Sequence, residues 1–86
     1  MARYNVQILP SVIRKDLAKV AKKDVEKILL KIKSLADDPR PVLSKKLLGW
    51  EEYRLRQGKY RILYLIKDDG VVVLVVKVAK RETVYR

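Results

Sequence analysis

The chain has 86 residues, room for one small domain spanning residues 1–86. It contains no cysteine and no histidine. That excludes disulfides, zinc centres built on thiolate or imidazole, thiol nucleophiles, and every catalytic triad that needs an imidazole. Lysine and arginine total 21 against 10 acids, a formal charge of +11. A foldable chain with this balance attracts polyanions, nucleic acid first and an acidic protein second. The longest apolar run, Val71 to Val76, is far short of the roughly 20 residues that cross a bilayer. The opening residues carry no apolar signal-peptide core, so a cytoplasmic location without membrane association is expected.

Residues 3–9 alternate, with Tyr4, Val6 and Ile8 on one side and Asn5 and Gln7 on the other, as in a strand. Pro10 ends it, and Ser11 is a candidate helix N-cap. Ile13, Leu17 and Val20 then recur at helical spacing. A second stripe follows at Val25, Ile28, Leu29, Ile32 and Leu35, with Asp24 as its candidate cap. The two stripes read as a helical hairpin or as one bent helix. Asp37-Asp38-Pro39-Arg40-Pro41 closes the helical half in a loop.

Val42 to Gly49 reads as a basic and apolar connector. From there the period changes to two. Tyr53 to Gln57 forms a strand, Gly58-Lys59 a turn, Tyr60 to Lys67 a second strand, and Asp68-Asp69-Gly70 a hairpin signal. Val71 to Ala79 is a third strand, apolar on both faces up to Val76, which suits an internal position. The expected fold is α+β: an N-terminal strand, a helical hairpin, then an antiparallel β-meander, β-α-α-β-β-β, with the helices on one face of the sheet.

Strand parity places candidate chemistry. Tyr53 and Leu55 point one way, Arg54 and Arg56 the other. The short Gly58-Lys59 connection brings Arg61 across from Arg56 or Arg54. The sheet therefore gathers Arg54, Arg56, Lys59, Arg61, Lys80 and Arg81, with Tyr85 nearby. Between residues 53 and 67 there are basic residues and no acid. Clustered like charge is costly unless an anion relieves it, and arginine forks suit phosphate. The pattern fits a single-stranded nucleic-acid site, or a plain exposed face whose polar residues happen to be arginine. Tyr53, Tyr60, Tyr64 and Trp50 are expected to pack, because the strand tyrosines share faces with Leu55, Ile62 and Ile66.

The ordered elements Leu47-Leu48-Gly49, Tyr53-Arg54-Leu55-Arg56-Gln57-Gly58-Lys59-Tyr60-Arg61-Ile62-Leu63-Tyr64 and Val75-Val76-Lys77-Val78-Ala79-Lys80-Arg81-Glu82-Thr83-Val84-Tyr85 resemble the RelE family of toxins from type II toxin–antitoxin systems. The similarity covers nearly the whole chain. It implies a metal-independent endoribonuclease, without cofactor, that cuts messenger RNA in the ribosomal A site beside the 16S rRNA. The RNA's own 2′-hydroxyl attacks the scissile phosphate. By the same resemblance Arg61 holds that phosphate, Arg81 lies near the leaving 5′-oxygen, and Tyr85 stacks on or orients a nucleotide. Arg54 and Arg56 fall where relatives often carry lysines. Arginine stays protonated, so Arg54 acts as an electrostatic stabiliser and not as a base. Lys45, Lys46, Lys59 and Lys80 are expected to bind RNA. The implied partner is an acidic, RelB-like cognate antitoxin, and no DNA is expected for the toxin alone. Two alternatives share the fold: a ParE-like inhibitor of DNA gyrase, and a non-catalytic module that binds nucleic acid or a partner.

Overall fold

A computed structural model of the protein describes residues 3–41, 44–46 and 52–80. The strands are β1 (Asn5–Ile8), β2 (Lys45–Lys46), β3 (Glu52–Gln57), β4 (Tyr60–Lys67) and β5 (Val72–Lys80). They form one sheet in the order β1-β5-β4-β3-β2. The meander β3-β4-β5 is antiparallel, as its hairpin signals require. β1 adds a parallel pairing on the far side of β5, so β5 is internal, as its double-sided valines predict. β2 lies within the stretch expected to be a connector. Two lysines carry no alternation from which a strand could be read.

The main helix, α1, covers Lys22–Ser34. Its stripe behaves as the spacing demands: Ile28 and Ile32 are buried and Val25 and Leu29 partly so, with Leu35 buried just past its end. Asp24 lies in the first turn, and the cap position is Ala21. The earlier helical segment is short and irregular, a π-type turn at Val12–Asp16 followed by a 3-10 turn at Leu17–Lys19. The Leu17 N–H donates to Val12 O, an i to i+5 bond. This winding buries Val12 and leaves Ile13 exposed, a reversal of the expected stripe. Ser11 makes no side-chain cap.

The helical elements cover one face of the sheet. Val12, Ile28, Ile32 and Leu35 meet Leu55, Tyr60, Ile62, Tyr64, Val73, Val75 and Val78 in one core. Burying such side chains stabilises by about 1.5–3 kcal/mol each before the entropy of ordering them is counted. Tyr64 stacks on Tyr53 with ring centroids 5.8 Å apart, and its hydroxyl donates to Pro39 O at 2.8 Å. The tyrosines therefore pack as parity predicts. Trp50 lies outside the described residues.

Two turns set the register. Gly58, at φ 60°, supplies the left-handed residue between β3 and β4. No atom stands within 4 Å of where a Cβ would be, so backbone conformation alone calls for glycine there. Between β4 and β5 the left-handed position falls on Val71 (φ 53°) and not on Gly70, a strained place for a β-branched residue.

β5 also contains a bulge. Tyr64 faces Val75, but Leu63 faces Lys77, so Val76 is an extra residue. Strand parity flips at that point. Val78 turns inward and is buried, while Lys77 moves to the face away from the helices.

Candidate nucleic-acid interface

The two rows of basic residues on the helix-free face are built from alternate residues of four of the five strands. Across β3 and β4, Arg56 stands directly opposite Arg61, and Arg54 opposite Leu63. Lys45 of β2 continues the second row on one side and Lys77 of β5 on the other. The first row runs Arg56, Arg61, Ala79. The expectation that Arg61 faces one of the β3 arginines resolves to Arg56. Among the described strand residues, Glu52 is the only acid sharing this face.

Arg61 is the most constrained of these cations. It is half-buried, and its Nε–H is shielded from solvent with no hydrogen-bond partner among the described residues. A hidden unpaired donor costs about 1–3 kcal/mol, more on a charged group. An incoming oxyanion would offset the repulsion from Arg56, and would satisfy the Nε–H once the side chain turned that group outward.

The other expected residues are placed as follows. Lys59 is exposed in the β3–β4 turn. Lys46 faces Tyr53 in register and so lies on the helix side of the edge. Lys80 faces Tyr60 and is exposed at the end of β5, also on the helix side rather than among the open-face arginines. The bulge produces that shift. Arg81 and Tyr85 lie outside the described residues.

Two features escaped the sequence reading. The first is Asp16, whose Oδ2 accepts the Val78 N–H at 3.0 Å and whose Oδ1 lies 3.7 Å from Lys77 Nζ. β1 ends before this part of β5, so a carboxylate takes an edge amide that β1 does not reach. No spacing rule links residue 16 to residue 78. The second is a clasp at the opposite end of the sheet. Asp68 accepts from the two terminal guanidinium nitrogens of Arg40, at 2.8 and 3.3 Å, and from the Tyr4 hydroxyl at 2.6 Å. Arg40 Nε also donates to the Tyr53 hydroxyl, with the guanidinium 5.4 Å from that ring's centre. The hydrogen bonds from Arg40 and Tyr4 hold the Asp68 carboxyl below the usual carboxylate range. The same Asp68 contact raises both Tyr4 and Arg40. Asp68 thus ties the hairpin turn to β1 and to the proline loop. It does not face the arginine rows.

Chemically, the open face can grip a phosphate and neutralise charge that develops on it. Among the described residues no group of three or more acids, histidines or cysteines could hold a metal ion. Among them too, no helix is long and apolar enough to cross a membrane.

Comparison with known proteins places these features in context. The family model described as the ParE toxin of type II toxin–antitoxin systems matches residues 6–85. The toxin RelE1 of Methanocaldococcus jannaschii is 32% identical over 88 residues, covering 98% of this chain and 97% of that protein. A toxin–antitoxin complex from Mycobacterium tuberculosis, RelBE2, contains a chain 26% identical with a TM-score of 0.81, over 92% of this chain and 99% of that one. The isolated E. coli RelE toxin is 25% identical with a TM-score of 0.77, over 94% of this chain and 87% of that one.

Proposed function

Because this chain belongs to the RelE/ParE superfamily of toxins from type II toxin–antitoxin systems, we propose that it is an endoribonuclease acting on messenger RNA in the ribosomal A site. The observation that carries the reading is Arg61. A half-buried guanidinium whose Nε–H has no partner among the described residues, set opposite a second arginine, is a cationic pair that an oxyanion would relieve.

The chemistry needs no protein nucleophile. The RNA 2′-oxygen forms a bond to the neighbouring phosphorus as the bond from phosphorus to the 5′-oxygen breaks. The 2′-hydroxyl gives up a proton, and the departing 5′-oxygen takes one. The products are a 2′,3′-cyclic phosphate and a 5′-hydroxyl. Arg61 and Arg56 hold the phosphate in line and offset the charge that builds on its oxygens, with Arg54 one row away. Arg81 serves the leaving oxygen and Tyr85 orients a nucleotide, as the family resemblance implies. Lys45, Lys46, Lys59 and Lys80 hold the RNA strand by its backbone charge. Arginine's permanent charge excludes Arg54 as the base.

An acidic, RelB-like antitoxin is the proposed partner. The similarity to the toxin in the M. tuberculosis complex and the +11 charge both support it. The test is to map RNA ends in translating extracts. Cuts ending in cyclic or 3′-phosphates should appear with the wild type and vanish with Arg61→Ala and Arg81→Ala.

The ParE family match favours a second reading, inhibition of DNA gyrase. Intact transcripts together with loss of supercoiling activity in the same extract would select it.

A further inference from the structure

We propose that the outer edge of β5, beyond the end of β1, is a second phosphate subsite for the same RNA strand, formed by Lys77, Lys80 and Lys19 around Asp16. This rests on the nuclease reading, since it assigns a neighbouring phosphate of that substrate.

Three observations converge on it. The bulge in β5 turns Lys77 onto the arginine face, in the row of Arg54 and Leu63. A cavity of about 270 Å³ opens beside it, lined by Asp16, Lys19, Tyr60, Lys77, Ala79 and Lys80. Ala79, which lines the cavity, is the register partner of Arg61, so the cavity begins at the strand next to the one that carries Arg61, about 5 Å away backbone to backbone. Tyr60, Val78 and Lys80 line it from the helix side, so an RNA backbone leaving Arg61 reaches it by turning round the free edge of β5.

The electrostatics are unbalanced in the direction an anion needs. Asp16, 14% exposed, is the one carboxylate among the residues lining the cavity, against three lysines, and of these it pairs with Lys77. Asp16 Oδ2 is committed to the Val78 N–H. Its Oδ1 touches Lys77 at 3.7 Å, well beyond the roughly 2.7–2.9 Å of a charge-assisted hydrogen bond. Asp16 therefore holds Lys77 near the cavity without locking it. An arriving phosphate displaces that weak contact and takes the ammonium. Asp16 is a positioning residue that also competes with the ligand.

Lys77→Gln and Asp16→Asn should consequently shift binding in opposite directions. The asparagine oxygen still accepts the Val78 N–H, but the competing charge is gone. The probe is a short RNA with one 2′-deoxy sugar at the cut position, which binds without being cleaved. Lys77→Gln should weaken binding about 5- to 10-fold and reduce the slope of log affinity against log salt by about 0.7. Lys77→Arg should restore both. Asp16→Asn should tighten binding about 3- to 10-fold. A methylphosphonate linkage beside the cut position should abolish the effect of Lys77→Gln.

The proposal is overturned if both variants weaken binding, if Lys77→Gln leaves affinity and slope unchanged, or if the wild type fails to bind the probe at low salt. It is also overturned if Lys77→Gln weakens binding of poly-glutamate but not RNA, because the edge would then serve an acidic protein. Its fate separates from that of the nuclease reading. Wild-type cleavage with unresponsive Lys77 and Asp16 variants removes only the subsite. Opposite binding shifts without cleavage by any form leave the subsite standing and remove the nuclease.

Discussion

Arg56 and Arg61 face one another directly across β3 and β4, two permanent cations side by side on a sheet surface. Like charges in that relation destabilise an antiparallel pair. Arg56→Thr should therefore stabilise the fold by about 0.2–1 kcal/mol, read as a higher melting temperature. The same variant should bind RNA more weakly at low salt. Loss of both stability and binding would show that the pair is not held for a ligand.

Arg61 carries the reaction in the proposed mechanism. Arg61→Ala should lower messenger RNA cleavage about 100- to 1000-fold, the range for losing a donor aimed at developing charge. Arg61→Lys should recover only part of it, because an ammonium lacks the bidentate fork. Quantified cleavage products from translating ribosomes, with melting temperature as a folding control, decide this.

The Arg40–Asp68–Tyr4 clasp predicts a stability profile bounded at both ends of the pH scale. The Asp68 carboxyl titrates below its ordinary 3.8 in the folded protein. Its stabilisation is therefore complete above that value and fades as pH falls through the lower folded one. Tyr4 titrates above its ordinary 10.0, so its share is complete below that and fades as pH rises through the higher folded value. Asp68→Asn should flatten the acid limb of melting temperature against pH, and Tyr4→Phe the alkaline limb.

The core makes a sharper demand. Tyr64→Phe removes the donor that satisfies Pro39 O and should cost about 0.5–1.5 kcal/mol. Ile32→Ala leaves a cavity between α1 and the sheet and should cost about 2–5 kcal/mol. Urea unfolding with unchanged slopes would confirm both as native-state effects.

Much of this was legible in the sequence, for local reasons. The short Gly58-Lys59 turn and the period of two fix which side chains share a face and bring Arg61 to the β3 arginines; the structure selects Arg56 over Arg54. The stripe of α1 follows from 3.6-residue winding. The remainder depended on contacts between distant segments or on irregular backbone. The bulge at Val76 breaks no hydrophobic pattern, since valine suits either face, yet it decides where Lys77, Val78 and Lys80 point. The π-type turn moves Val12 inward in place of Ile13, because i to i+5 bonding obeys another period. Asp16 and Asp68 take their roles from backbone and side chains far away in the chain. Arg81 and Tyr85 remain expectations carried by the family resemblance.

β1 lies parallel to β5, so the first strand to be synthesised waits for the last before it gains a partner. Such remote pairing carries a high loop-closure penalty and slows folding. Until β5 is in place, β1 has no neighbour to bond with, and the sheet stays open on that side.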